Sequence, residues 1–147
     1  MSARLHQCLG RLVDLGERDV DRARAHWAEK QGLCTRLQGA VERLDTLART
    51  DAAAQAAGPL IPGLLANGGA YKAALLDLAA TQRQALARSR TEALAAQAAV
   101  ATEARRVAAL GQVQAQVGGR LQQAATRREQ QGQDALATQV WLRGGHE

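Results

Sequence analysis

A seven-residue apolar repeat runs through most of this chain and restricts it to helices that pack in pairs. In the first half, one position of the repeat holds Val13, Val20, Trp27, Cys34, Val41 and Ala48. In the second half, a corresponding position holds Leu86, Ala93, Val100, Val107, Gln114, Leu121, Arg128, Ala135 and Leu142. With apolar residues also three or four positions further on, such a repeat predicts a coiled-coil seam. Leu5, Leu12, Leu33 and Leu47 flank the seam, while Gly16, Lys30 and Asp51 form weak layers in it.

The composition agrees with helices and disfavours strands. Hydrophobic residues make up 46% of the chain, but aromatic residues make up only 2% and Phe is missing. Much of the apolar content is alanine, which favours helix and buries little side-chain area. No segment alternates strictly between apolar and polar residues, as a half-buried strand would. We therefore predict an all-α fold.

The repeat is interrupted once, in the segment GPLIPGLLANGGAYKAALL of residues 58–76. Gly58 can end a helix in a left-handed conformation, Pro59 cannot continue it, and Asn67 can cap a new one. We predict one domain, with helices at about 3–57 and 70–142 and a break at about 58–69. Because the break is short, the two helices should form a long antiparallel two-helix coiled-coil hairpin.

Two further features of this hairpin concern the second helix. The second helix is the longer one, so its C-terminal part should extend beyond the start of the first. Gly118 and Gly119 lie within it and weaken a helix by about 1 kcal/mol each. They indicate either a bend or tolerated surface glycines.

The charge distribution favours a protein partner over a nucleic acid. The net charge is +5 and the isoelectric point is about 10.2. The arginines are spread along the chain, however, and no block of five or six like charges occurs. Opposite charges four residues apart, such as Asp45 and Arg49, predict ion pairs on a solvated helix face. No apolar run approaches the 18 or so residues that a membrane span needs.

No constellation of residues indicates catalysis, a metal or a cofactor. The segment GLLANGG lacks the lysine of a phosphate-binding loop, and His6, His26 and His146 are scattered. Cys8 and Cys34 match no metal-ligand spacing and are expected to be reduced thiols in a cytoplasm. We predict a non-enzymatic protein that binds through its faces and ends.

The candidate binding surface is the hairpin end. Tyr71 and Leu75 lie four residues apart and are expected to face solvent as a partner anchor. Leu76, and with it Leu78, is expected to close the coiled-coil core instead. The neighbouring apolar residues either cap the coil or extend the contact; they are Leu60, Ile61, Leu64 and Leu65.

Three segments, taken in order, resemble the FliJ family of the bacterial flagellar type III export apparatus. They are LVDLGERDVDRARAHWAEKQGLC near the start, Tyr71 and Leu75 followed by TQRQAL, and RREQQGQDALATQ near the end. The family usually has Phe at the position of Tyr71 and an aromatic residue at that of Asp51. The resemblance covers nearly the whole chain, and chain length and break position agree with it.

The resemblance implies a function as well as a fold. FliJ-like proteins are two-helix coiled coils, similar to the central stalk of rotary ATPases. They insert into the hexameric ring of the flagellar export ATPase, contact the cytoplasmic linker of the membrane export gate protein, and bind empty export chaperones. The gate contact would fall on Tyr71 and Leu75. Further family surface positions fall near Leu44, Leu47, Leu78 and Gln82.

Charge and position suggest Arg120, Arg127 and Arg128 as the contact with the ATPase ring. We further expect a monomer that reaches the cytoplasmic face of the membrane only through its partners, without nucleic acid. Three alternatives remain: the analogous stalk protein of a virulence secretion system, a helical export chaperone, and a basic coiled coil on nucleic acid. The last would bind with a steep salt dependence.

Overall fold

The computed structural model describes residues 2–58 and 62–145 and consists of two long helices. Helix α1 spans Ser2–Ala57 and helix α2 spans Pro62–Gly144. No strand occurs in the described part of the chain. The predicted all-α hairpin is therefore confirmed. Leu60 and Ile61, and the side chains of Leu64 and Leu65, lie outside the described residues.

The helix ends differ in two respects from those predicted. Helix α1 ends at Ala57 as expected, but Gly58 has no left-handed φ. The proline that follows explains this, because it disfavours helical conformations and favours extended ones at the residue before it. Helix α2 begins at Pro62, not near residue 70, since proline is well tolerated in a first helical turn. Residues 67–69 are helical as well, because propagation adds a hydrogen bond for each residue fixed.

Contacts divide the chain into two compact units, each built from one segment of each helix. Unit 1 comprises Met1–Val20 with Thr102–Glu147, and unit 2 comprises Asp21–Ala101. In unit 1, Gly16 lies against Val107, and Gly118 lies against His6. Residue numbers thus rise along one helix as they fall along the other, so the segments run antiparallel. The two segments of unit 2 also run antiparallel, because Lys30 contacts Glu92 and Asp45 contacts Arg83.

The apolar repeat forms the interface between the helices in unit 2. Val41 and Ala48 of α1 are 6% exposed, and Ala79 of α2 is 1% exposed. Other buried members on α2 are Leu75, Leu86, Ser89 and Ala96. The buried residues of α2 follow one another at intervals of three, four or seven residues. The predicted seam is therefore confirmed, with a core composed largely of small side chains.

In unit 1 a glycine forms part of the close contact between the helices. Leu9, Gly16 and Val20 are buried. A Cβ atom placed on Gly16 would lie 2.6 Å from Cγ2 of Val107. Gly16, which the sequence alone marks as a weak layer, therefore provides the space that Val107 occupies.

Gly118 has a similar role further along α2. The helix is continuous through Gly118 and Gly119. A Cβ atom on Gly118 would lie 3.0 Å from Cε1 of His6, whereas one on Gly119 would meet no atom within 4 Å. Gly118 is thus an interface residue that accommodates the imidazole ring, and Gly119 is a surface glycine.

The seam on α2 ends at Leu121. Leu121 is half-buried, whereas Arg128, Ala135 and Leu142 on the same repeat are exposed. With His6 opposite Gly118, the first residues of α1 lie level with about residue 121. Within unit 1 the rest of α2 therefore has no α1 segment beside it, as the greater length of the second helix predicts.

Candidate functional site: protein-binding surfaces

The structure separates the two residues that were expected to form a solvent-facing pair. Tyr71 is 52% exposed, but Leu75 is only 9% exposed and lies in the interface between the helices. Leu76 is 45% exposed, although the sequence predicts that it closes the core. The two neighbouring leucines have exchanged roles because the seam on α2 passes through Leu75 and Ala79.

An exposed apolar patch nevertheless surrounds Tyr71. Leu47 on α1 and Leu78 on α2 are about half exposed, so the prediction that Leu78 closes the core is also wrong. Leu44 and Gln82 are half-buried. Helical periodicity places Leu47, Tyr71 and Leu78 on the same side of the seam. We call these three residues the Tyr71 patch.

The opposite side of this part of unit 2 carries charged side chains beside apolar ones. A groove of about 370 Å³ there is lined by Asp45, Ala48, Arg49, Lys72 and Leu76. The Asp45 carboxylate pairs with Arg83 of the other helix. Arg49 donates to the backbone oxygen of Asp45 at 3.3 Å, so the predicted Asp45–Arg49 ion pair is wrong. Asp45 thus links the two helices.

A polar layer crosses the interface further along unit 2. Lys30 Nζ donates to Glu92 Oε2 at 2.8 Å. This hydrogen bond, and next the attraction between the charges, raise the pKa of Lys30 above its ordinary value and lower the pKa of Glu92 below its own. Lys30, a weak layer by sequence, is therefore a cross-helix contact.

The thiol of Cys34 also faces the second helix. Its Sγ atom lies 3.1 Å from Oγ of Ser89, which is buried. This contact places Cys34 in the interface, as its position in the repeat predicts. Within the described ranges, no group of three or more His, Cys, Asp or Glu side chains could hold a metal ion.

The last turns of α2 expose apolar side chains that were not among the predicted binding residues. Trp141 is 74% exposed, and the other members are Leu136, Val140 and Leu142. Successive helical residues are about 100° apart, so these four side chains point in several directions around the helix axis. We call them the α2 terminal cluster. The sequence does contain an indication of this cluster, because Trp141 is one of only two tryptophans in the chain.

The three arginines predicted to contact an ATPase lie before this cluster. Arg120, Arg127 and Arg128 are all exposed. A shallow depression there is lined by Gly119, Gln122, Gln123, Thr126 and Arg127. Within the described residues, neither helix has an apolar stretch long enough to cross a membrane.

Comparison with known proteins gives one result. A family model described as flagellar FliJ protein matches residues 6–146, nearly the whole chain. None of the curated proteins and none of the solved structures gives a significant match.

Proposed function

Because the chain belongs to the flagellar FliJ family and is a component of the flagellar type III export apparatus, we propose that it is a non-enzymatic stalk of the export ATPase ring. In this role it inserts its α2 end into the hexamer and promotes ring assembly. It also contacts the cytoplasmic linker of the membrane export gate and escorts empty export chaperones. It would act as a monomer, bound peripherally at the inner face of the membrane.

The observation that supports ring insertion best is the α2 terminal cluster. A helix that is apolar on several sides is normally buried on several sides. A flat partner surface covers one side of a helix, whereas the bore of a ring surrounds it. The exposed Arg120, Arg127 and Arg128 add positive charge where the helix would enter. Both features fit insertion into an acidic, partly apolar bore.

Reversing the charge of the arginines tests this proposal. We expect Arg127→Glu with Arg128→Glu to reduce stimulation of the export ATPase several-fold, because the acidic residues would repel an acidic bore. Phosphate release by the purified ATPase would be measured across a titration of each variant. Arg36→Glu with Arg88→Glu is the matched control, since it makes the same charge change on exposed residues of unit 2. Equal stimulation by the two double variants would refute the ring contact.

The gate contact is proposed for the Tyr71 patch, with Leu75 as a supporting residue. The ring of Tyr71 is available to a partner, and Leu47 and Leu78 extend the apolar area around it. Leu75, by contrast, packs against the other helix and would hold the patch in position. Leu44 and Gln82 border the patch. In the gate contact that the family resemblance assigns to these two residues, Tyr71 would then touch the gate protein, and Leu75 would keep Tyr71 in position.

Two single variants separate these roles. Tyr71→Ala should abolish co-purification with the cytoplasmic linker of the gate protein and change the free energy of unfolding by less than about 1 kcal/mol. Leu75→Ala should lower that free energy by about 2–3 kcal/mol, as expected for a buried leucine. Circular dichroism and pull-down would be run on both. Undiminished linker binding by Tyr71→Ala combined with Leu78→Ala would remove the assignment.

A further inference from the structure

The first part of α1 carries a second apolar series. Leu5, Cys8, Leu12 and Leu15 follow one another at intervals of three, four and three residues. About half of the surface of each leucine is exposed, and Cys8 is exposed as well. Leu5 and Leu12 flank the seam, as their positions in the repeat predict, and α2 covers the series that includes Leu9, Gly16 and Val20. In unit 1, α1 therefore has two heptad series and buries one of them.

The spacing of the second apolar series indicates what kind of structure would cover it. Intervals of three and four residues are the geometry into which the side chains of another helix fit. One neighbouring helix can cover only part of a wide apolar arc. A helix with such an arc therefore usually packs against two neighbours. Val113 of α2 is also exposed and lies on the same side as Leu12, near the Gly10–Gln114 contact. The exposed surface thus fits a third helix.

The charges beside the second apolar series indicate the character of that helix. Arg4, Arg11 and Arg18 occupy one heptad position, directly before Leu5, Leu12 and Asp19, and all three are exposed. This position flanks the apolar series, where charges select the partner of a coiled coil. The acidic residues Asp14 and Glu17 lie towards the opposite face of α1, whereas Asp19 follows Leu15 by four residues and ends the apolar series. A helix with acidic flanking positions would meet opposite charges here.

The same charges argue against a second copy of the chain as the occupant. Two copies that paired in antiparallel orientation through this surface would bring both rows of arginines together, and like charges across an interface disfavour association. Acidic flanking residues would attract the row instead.

We propose that Leu5, Cys8, Leu12 and Leu15, with the flanking arginines, form a docking site for an acidic amphipathic helix of another protein. That helix carries apolar residues at intervals of three and four, with Glu or Asp beside them. The site shares no residue with the ring contact, which uses α2 from Arg120 onwards, or with the Tyr71 patch of unit 2. It can therefore exist whether or not those contacts do.

Two synthetic peptides of about four heptads test the proposal. Both have leucine at the core positions, and the flanking positions are Glu in one and Lys in the other. The full chain would be titrated into each labelled peptide, with fluorescence anisotropy at low and physiological salt. We expect the Glu peptide to bind, more weakly as salt rises, and the Lys peptide not to bind.

Substitutions in the chain locate the binding. Leu12→Ser with Leu15→Ser should weaken binding of the Glu peptide by about tenfold or more. Leu94→Ser, at an exposed leucine of unit 2, is the control and should bind like the unaltered chain. Arg4→Glu with Arg11→Glu should shift the preference towards the Lys peptide. This shift does not depend on folding losses, and circular dichroism would verify the helix content of every variant.

Several outcomes would overturn the proposal. One is equal binding of the two peptides, or no binding of either. Another is a loss with Leu94→Ser as large as that with Leu12→Ser and Leu15→Ser. A third is a dimer of the unaltered chain in sedimentation equilibrium that the Leu12 and Leu15 substitutions dissociate, because a second copy would then be the occupant.

Discussion

At the scale of single residues, glycines determine how closely the helices approach in unit 1. Gly16 faces Val107 at a distance that leaves no room for a methyl group, and Gly118 faces His6 at a distance where a methyl group would require the imidazole ring to shift slightly. Gly32 and Gly119 would meet no atom within 4 Å. The same residue type therefore stabilises the interface at two positions and weakens the helix at two others.

Alanine substitutions should separate these two classes. Gly16→Ala is expected to lower the free energy of unfolding by about 1 kcal/mol or more, since overpacking against Val107 exceeds the gain in helix propensity. Gly32→Ala should raise it by about 0.5–1 kcal/mol, and Gly119→Ala should do the same. Chemical denaturation followed by circular dichroism measures all three.

A double variant checks the cause. In a chain that already carries Val107→Ala, the cost of Gly16→Ala should shrink, because the atom that the new methyl group meets is gone. An unchanged cost in that background would show that Val107 is not what requires the glycine.

At the scale of the helices, polar contacts across the interface complement the apolar repeat. Lys30 bonds to Glu92, Asp45 pairs with Arg83, and Arg90 donates to Gln38 at 2.8 Å. If α1 shifted along α2 by one residue, these polar partners would be separated. The core consists largely of alanine and other small residues, so its packing would be less sensitive to such a shift than the polar contacts. We infer that the polar contacts help to fix the register of α1 against α2.

The Lys30–Glu92 pair should make stability depend on pH. Since the folded chain lowers the pKa of Glu92, the stabilisation is present above the pKa of the unfolded chain and is lost as pH falls through the folded value. The folded chain also raises the pKa of Lys30. The stabilisation that comes from Lys30 is therefore lost only as pH rises through this raised pKa. Glu92→Gln should therefore flatten the acid decline of the thermal midpoint.

The control for this measurement is Glu129→Gln, at an exposed position of α2 beyond the seam. Thermal midpoints from neutral pH to well below 4.5, the ordinary pKa of a glutamate, would be compared. An identical acid decline in the unaltered chain and in Glu92→Gln would contradict the role of the pair.

At the scale of the whole molecule, the residues that pack the helices together differ from those proposed to bind partners. The buried series of each unit holds α1 against α2 and leaves little for a partner to contact. The Tyr71 patch, the second apolar series and the α2 terminal cluster contribute little to that packing, because their large side chains are mostly half exposed or more. Substitutions in these surfaces should therefore affect binding more than folding.

Truncation after Leu121 tests this separation. The shortened chain should keep its thermal midpoint within about 2 °C, since residues 122–145 are all exposed. It should lose the ellipticity of the missing turns and all stimulation of the export ATPase. A fall in the midpoint by about 10 °C or more would show that this segment is part of the folded core.

The sequence alone determined the helices and the face by which they pair. An uninterrupted repeat of seven requires a helix with one apolar stripe, and a single break leaves two such helices that can cover each other. Val20, Val41, Ala48 and Leu86 were placed correctly for this reason. The family resemblance was also available from the sequence, through three segments in order.

Only the tertiary structure decided which of two adjacent residues faces the partner helix. Leu75 and Leu76 have the same hydrophobicity, and their positions differ by about 100° around the helix. The register between α1 and α2 selects one of them, and it depends on contacts far apart in sequence, such as Gly16 with Val107 and Lys30 with Glu92. The exposed second apolar series became visible only once that register was known, because a repeat alone does not show which of its faces is covered.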